Sequence, residues 1–202
     1  MSYPSNLVVA AIAVLGAAAA IPAQQTDGPR QDAVRSGVFM SAADFRADRL
    51  VNEVTCGGQA QHKLELHDFL DKPYIHVTHE GQRIRYEKSQ IFGVRDCDGR
   101  TIHFFRNADY QVAEAGPIVI YETPVYETRG FVNPKTTRYF FSVGLEGGVL
   151  PLTKANLKAA FAQNARFVAL VDQVFATDSE LAEYDKLHRT YRVNHVLDQA
   201  KS

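Results

Sequence analysis

Tryptophan is absent from the 202 residues, which removes the largest ring available for stacking on sugars, although nine tyrosines can substitute. Cysteine is scarce: Cys56 and Cys97 are the only two, and neither has a neighbouring Cys or a close His. A zinc finger or ribbon needs such neighbours, so that class is set aside. No surplus of one charge exists either. Lys and Arg number 22 against 23 Asp and Glu, a net charge of -1. Binding to a phosphate backbone needs a concentrated basic surface, so nucleic acid is excluded as a partner. Also missing are the Gly-x-Ser-x-Gly elbow, the Gly-rich phosphate loop and the dinucleotide fingerprint. The sequence calls for no cofactor and names no catalytic residue. A triad or a carboxylate pair assembled from distant positions stays open, because such partners meet only in space.

Long hydrophobic stretches are limited to one. Leu7 to Ile21 is apolar and uncharged, but shorter than the roughly 20 residues a spanning helix requires. Pro22-Ala23 closes it, directly before Gln24-Gln25. This pattern reads as a signal peptide over residues 1–23, with Ala18 to Ala20 as the alternative cut and an uncleaved anchor as the other reading. No Lys or Arg precedes Leu7, so the amino terminus alone supplies the positive charge. The expectation is an exported protein, periplasmic or extracellular, with no stable membrane span after cleavage. Residues 24–36 are polar, contain Gly28-Pro29, and read as a flexible linker.

In an oxidising compartment an even pair of cysteines invites a bridge. Both lie in turn-like contexts, Thr55-Cys56-Gly57-Gly58 and Asp96-Cys97-Asp98-Gly99. A Cys56–Cys97 disulfide is therefore expected, with two unpaired thiols as the alternative.

A hydrophobic share of 46% is that of a folded chain, and one α+β domain is expected over 37–202. Between Val38 and Val149, short β-rich segments alternate with turn residues, the pattern of an antiparallel sheet or partly open barrel. The clearest strands are Leu50–Val54, His62–Leu66, Tyr74–His79, Gln82–Lys88 and Gln90–Arg95. Thr101–Arg106, Tyr110–Ala113, Pro117–Glu122 and Arg138–Val143 follow. Glu80-Gly81 and Asp98-Gly99 predict two-residue hairpins. Ser41 predicts a one-turn helix through Phe45.

Past Pro151 the apolar period changes from 2 to 3.6. Thr153 predicts a cap for a short helix carrying Leu157, Ala160 and Phe161. Phe167, Leu170, Val171, Val174 and Phe175 then follow at i, i+3, i+4, i+7 and i+8, an amphipathic helix. Thr177-Asp178-Ser179-Glu180 reads as a capping box opening a last helix from about Ser179 to Asp198. A β-rich part 37–150 followed by a helical part 151–200 makes the class α+β.

The stretch Gly37-Val38-Phe39-Met40-Ser41-Ala42-Ala43-Asp44-Phe45 resembles the opening of many small exported bacterial proteins of unknown function. Lys88-Ser89-Gln90-Ile91-Phe92-Gly93-Val94-Arg95-Asp96, with Gly99 after it, is similar to their middle hairpin. The resemblance spans about Gly37 to His195. It implies an exported β-rich domain and carries no activity to transfer.

Candidate sites are few. His76 and His79 lie three apart in a strand, hence on opposite faces, which argues against a shared metal. Arg83, Arg85, Arg95, Arg100, Arg106 and Arg138 recur on or beside strands, either as a cationic face or as a solvated one interleaved with acids. On the last helix Tyr184, His188, Tyr191 and His195, spaced four, three and four, share a face bordered by Leu181 and Leu187. These four are the candidate ligand-binding residues. A regular helix would separate His188 from His195 by roughly 10 Å along its axis, so no metal is assigned. The expected function is a non-enzymatic exported domain that binds an envelope ligand or protein partner. The alternatives are a hydrolase with a site assembled from distant residues, and a structural envelope component.

Overall fold

The computed structural model describes residues 34–57, 63–66, 72–126 and 135–201, with backbone alone at 124–126 and 135–136. The predicted signal peptide and most of the predicted linker lie outside the described residues. Strand β1 (Arg35–Phe39) begins two residues inside the stretch read as linker. Its partners supply the reason. It pairs antiparallel with β2 (Val51–Thr55) on one side and β6 (Gly93–Arg95) on the other, and the Ser36 hydroxyl donates to the Arg95 carbonyl at 2.8 Å.

The main sheet has eight strands in the order β11-β10-β9-β8-β7-β6-β1-β2. Strands β7 (Thr101–Phe105), β8 (Ala108–Glu114), β9 (Ile118–Tyr126), β10 (Lys135–Val143) and β11 (Leu150–Pro151) form a meander. Strands β3 (Lys63–Glu65), β4 (Tyr74–His79) and β5 (Gln82–Glu87) make a separate three-stranded sheet. Helix α1 (Ala42–Arg46) joins β1 to β2 and is capped as expected, Ser41 Oγ accepting from Asp44 N at 3.1 Å. With α2 (Lys154–Ala160), α3 (Ala165–Val174) and α4 (Arg192–Gln199) following the strands, the fold is α+β with antiparallel sheets and helices gathered toward the C-terminus.

Turn chemistry accounts for the hairpins. Glu80 and Gly81 both have positive φ, 50° and 77°, as a two-residue primed turn between β4 and β5 requires. Arg106 and Asn107, at 52° and 65°, make the same kind of turn between β7 and β8, with no glycine to announce it. The Asp98-Gly99 turn is longer than two residues. Asp96 Oδ1 accepts from the backbone of Asp98 at 3.0 Å and of Arg100 at 2.9 Å, so the carboxylate organises the loop. Gly93 is demanded by packing, since a Cβ there would lie 2.0 Å from the Ile102 carbonyl oxygen.

The core lies on both faces of the main sheet. Ile118 and Ile120 of β9 pack with Phe141, Leu157, Phe167, Val171, Phe175, Leu181 and Val193, so sheet and helices share one apolar cluster. Val119 and Tyr121, the alternate residues of β9, pack on the opposite side with Phe39, Phe92, Leu145 and Val149. A strand buried on both faces reads as continuous apolar sequence, which is how Ile118 to Tyr121 appears. A third cluster seats Ile75 and Val77 of β4 against Val38, Ile91, Val94 and Phe104. Cys56 and Cys97 are disulfide-bonded with Cα atoms 5.5 Å apart, tying the end of β2 to the β6–β7 loop. Among the described residues no helix is long and apolar enough to cross a membrane.

Candidate functional site

The predicted last helix is not continuous. Its first part is a 3-10 turn over Asp178–Ala182. A short hairpin of β12 (Tyr184–Asp185) and β13 (Thr190–Tyr191) follows, and only then α4. Thr177 gives no cap bond through its side chain, and Glu180 Oε2 accepts from Ala176 N at 2.9 Å instead of reaching the Thr177 amide. Leu187, read as a border of the apolar face, is 84% exposed at the hairpin tip. Leu181 is fully buried.

The cause of the break is visible in Asp185 and Glu114. Asp185 Oδ1 accepts from the backbone of Leu187 at 2.9 Å and of His188 at 3.1 Å, an Asx turn that competes with helix. Arg189 closes the turn at φ 55°. Glu114, at the end of β8, then takes three donors from the returning chain: Thr190 Oγ1 at 2.7 Å, Tyr191 N at 2.8 Å and Asn194 Nδ2 at 2.7 Å. Its carboxylate thus sits at the N-terminus of α4, where negative charge is favoured by the helix dipole. Tyr191 caps α4 through its backbone alone.

Breaking the helix brings the two histidines together. The His188 and His195 rings stack with centroids 3.8 Å apart and planes 23° from parallel, in place of the roughly 10 Å axial separation expected from a regular helix. His188 Nδ1 lies 2.7 Å from Asp185 Oδ2. The Gln199 amide donates to His195 Nε2 at 2.9 Å from one turn further along α4. Asp185, His188 and His195 each offer a ligand atom, and these three atoms lie within 4.8 Å of one another. Bonding to His188 foremost lowers the Asp185 pKa from the ordinary carboxylate value, so this group stays ionised. Tyr184 and Tyr191 meet edge to face at 5.5 Å beside the cluster. Burial, reinforced by Tyr139, Glu122, Glu114 and Tyr184, pushes the Tyr191 phenol up to about 12. It can donate a hydrogen bond but offers no anionic oxygen at neutral pH. The arrangement therefore gathers two imidazoles and one carboxylate in one cluster, while Tyr184 and Tyr191, paired across the same hairpin, pack on each other. Asp185 was missed in sequence because a helical reading places it off the Tyr–His face.

A second feature, invisible in the sequence, surrounds His103. This ring is stacked on Phe92 at 4.2 Å and lines a hollow of about 350 Å³ with Met40, Ser41, Ser89, Phe105 and Glu146. Ser142 Oγ donates to the Gly144 carbonyl at 2.7 Å and so accepts from Tyr121 OH at 2.9 Å. Tyr121 then receives the Nδ1 proton of His103 at 3.1 Å. This order of donors leaves Nε2 as the acceptor of the ring. Burial lowers the His103 pKa to about 4, so the ring is neutral at neutral pH. No cysteine is free, and Ser41 Oγ is engaged with Asp44 at 2.7 Å. The hollow holds a hydrogen-bond acceptor without an activated nucleophile.

Four of the six arginines and the first histidine pair have ordinary partners. Arg83 bonds Glu65, Arg85 bonds Glu87, Arg95 bonds Asp48, and Arg100 bonds Asp96. His76 Nδ1 lies 3.1 Å from Arg83. His79 is 4.0 Å from Glu80.

Compared with known protein families, curated proteins and solved structures, this chain matches none. The functional reading therefore rests on its own residues.

Proposed function

We propose that this protein is an exported, non-enzymatic binding domain whose ligand face comprises Tyr184, His188, Tyr191 and His195. The observation that carries this reading is the hairpin that brings His188 onto His195 while Glu114 anchors its return strand to the sheet. Half-exposed aromatic and imidazole groups held on a rigid frame favour recognition, because little side-chain freedom remains to be lost on binding. The disulfide and the apolar run at Leu7–Ile21 support export. A binding role is favoured over a hydrolase because the hollow beside the buried imidazole shows, among the described residues, no serine hydroxyl hydrogen-bonded to that ring: His103 Nδ1 is engaged by Tyr121 and Ser41 by Asp44.

Two measurements test the proposal. Mass spectrometry of the protein made in its own host should give a mature start near Gln24, and an intact Met1 on a cytoplasmic protein would overturn the export reading. Amide and imidazole NMR during titration with extract of the host's envelope should show shifts at Tyr184–His195. Shifts confined to the residues around His103 would transfer the ligand site to that hollow.

A further inference from the structure

The three donors at the hairpin–helix junction belong to a recognisable chemical class. Two imidazole nitrogens and one carboxylate suit a divalent d-block ion of the zinc type, whereas magnesium and calcium prefer all-oxygen surroundings. We infer that Asp185, His188 and His195 bind one such ion, with Zn²⁺ as its representative, through one atom of each side chain. This rests on the reading of the same face as a ligand site and gives its ligand a chemical identity.

Geometry favours the assignment. Tetrahedral zinc with bonds of about 2.0–2.1 Å separates its donors by about 3.4 Å. The three donor atoms lie within 4.8 Å of one another, so side-chain rotations of about 1.5 Å or less bring them into one sphere. The His188–Asp185 contact of 2.7 Å opens slightly, and the proton on Nδ1 moves through solvent to Nε2 as the ion takes its place. The two rings stack at 3.8 Å with planes 23° apart, so their in-plane lone pairs run nearly parallel and one ring turns out of the stack for both to point at a single ion.

The ligands are also preorganised by separate supports. Backbone amides of Leu187 and His188 hold Asp185 Oδ1, which leaves Oδ2 toward His188. Gln199, which donates to His195 Nε2 in the free protein, releases that nitrogen or turns its carbonyl oxygen to the ring N–H when the ion binds. Glu114 and Asn194 fasten the β13–α4 junction to the sheet. Outer partners of this kind orient metal ligands and raise affinity. His188 is about half exposed, so three protein donors leave at least one position open to water or to a donor group on a ligand. Because both cysteines are bridged, thiolates do not compete for the ion.

The test uses untagged, disulfide-intact protein, titrated with ZnCl₂ and CuCl₂ by calorimetry, with MgCl₂ and CaCl₂ as controls. One equivalent of zinc should bind, copper should displace it, and the His188 and His195 ring resonances should shift together. Asp185→Asn and His195→Gln, each checked for folding by circular dichroism, should weaken zinc at least about 100-fold. His79→Gln should leave binding unchanged. Absence of zinc and copper binding, or binding unaltered in the Asp185 and His195 variants, would overturn the metal assignment. If metal binding fails while envelope extract still shifts Tyr184–His195, the face remains a binding site for a non-metal ligand. If the metal binds but extract shifts only the His103 region, the ion site stands and the wider ligand face falls.

Discussion

Asn194 pairs with Ile118 as a neighbouring strand would. Its Oδ1 accepts from the Ile118 amide at 3.1 Å, and its Nδ2 donates to the Ile118 carbonyl at 2.8 Å. The side chain is only 4% exposed, so α4 enters the sheet's hydrogen-bond network through one buried amide. Gly116 keeps the approach open, since a Cβ there would lie 3.3 Å from Asn194 Nδ2.

Removing that amide should loosen the junction that carries the proposed site. Asn194→Ala strands two backbone groups of Ile118 and removes one of the two donors to Glu114 Oε1, at an expected cost of about 2–3 kcal/mol. Urea unfolding gives the total, and hydrogen exchange at the Ile118 amide should accelerate. A loss under about 0.5 kcal/mol would mean that water replaces the amide without penalty.

His103 predicts an acid-sensitive fold. Its folded pKa of about 4 lies below the ordinary value of 6.5, so protonation favours the unfolded chain. The stability linked to this group is complete above about pH 6.5 and is lost as pH falls toward 4. The shift corresponds to roughly 3 kcal/mol. His103→Gln should flatten the melting temperature between pH 6.5 and 4, because glutamine does not titrate. An unchanged slope in this variant would assign acid lability to other groups.

The Cys56–Cys97 bridge closes a separation of 41 residues. On the chain-entropy model it stabilises by about 3–4 kcal/mol. Unfolding the unreduced protein in the presence of a thiol label should therefore modify neither cysteine. Reduction should lower the denaturation midpoint, and two labelled cysteines before reduction would refute the bridge.

Helices and sheet should unfold together. Phe167 is fully buried in the cluster that also holds Ile118, Ile120 and Phe141. Phe167→Ala should cost about 3–5 kcal/mol and lower one transition for the whole chain. Leu170 is only partly buried in that cluster, so Leu170→Ala should cost less, and His188→Ala less again. A chain ending at Leu150 that keeps full stability would show the helical part to be detachable.

Periodicity carried much of the architecture. Tyr74–His79 coincides with β4, and Thr153, Leu157 and Phe167 announced α2 and α3, because caps and apolar spacing act over a few neighbouring residues. The hairpin at Glu80-Gly81 was equally local, since Gly81 takes positive φ freely at the second turn position. Cys56 and Cys97 were legible as a pair because only one pairing exists.

The C-terminal site was only half legible. Tyr184, His188, Tyr191 and His195 were picked out by spacing, but a regular helix sets His188 and His195 a turn and more apart and leaves Asp185 aside. What broke the helix was Glu114, some 70 to 80 positions upstream, which captures Thr190, Tyr191 and Asn194 across separations of 76, 77 and 80 residues. His103 was hidden for a related reason. His103 alternates with Ile102 and Phe104, a spacing that suits a polar face, whereas strand β7 is covered on both sides and Tyr121 and Phe92 enclose the ring. Sequence by itself determined the periods of β4, α2 and α3, the caps at Ser41 and Thr153 and the Glu80-Gly81 turn, all set by short-range geometry. Tertiary structure alone decided where the last helix breaks, which imidazoles meet and which one is buried, because those outcomes depend on carboxylates and aromatic rings contributed by distant strands.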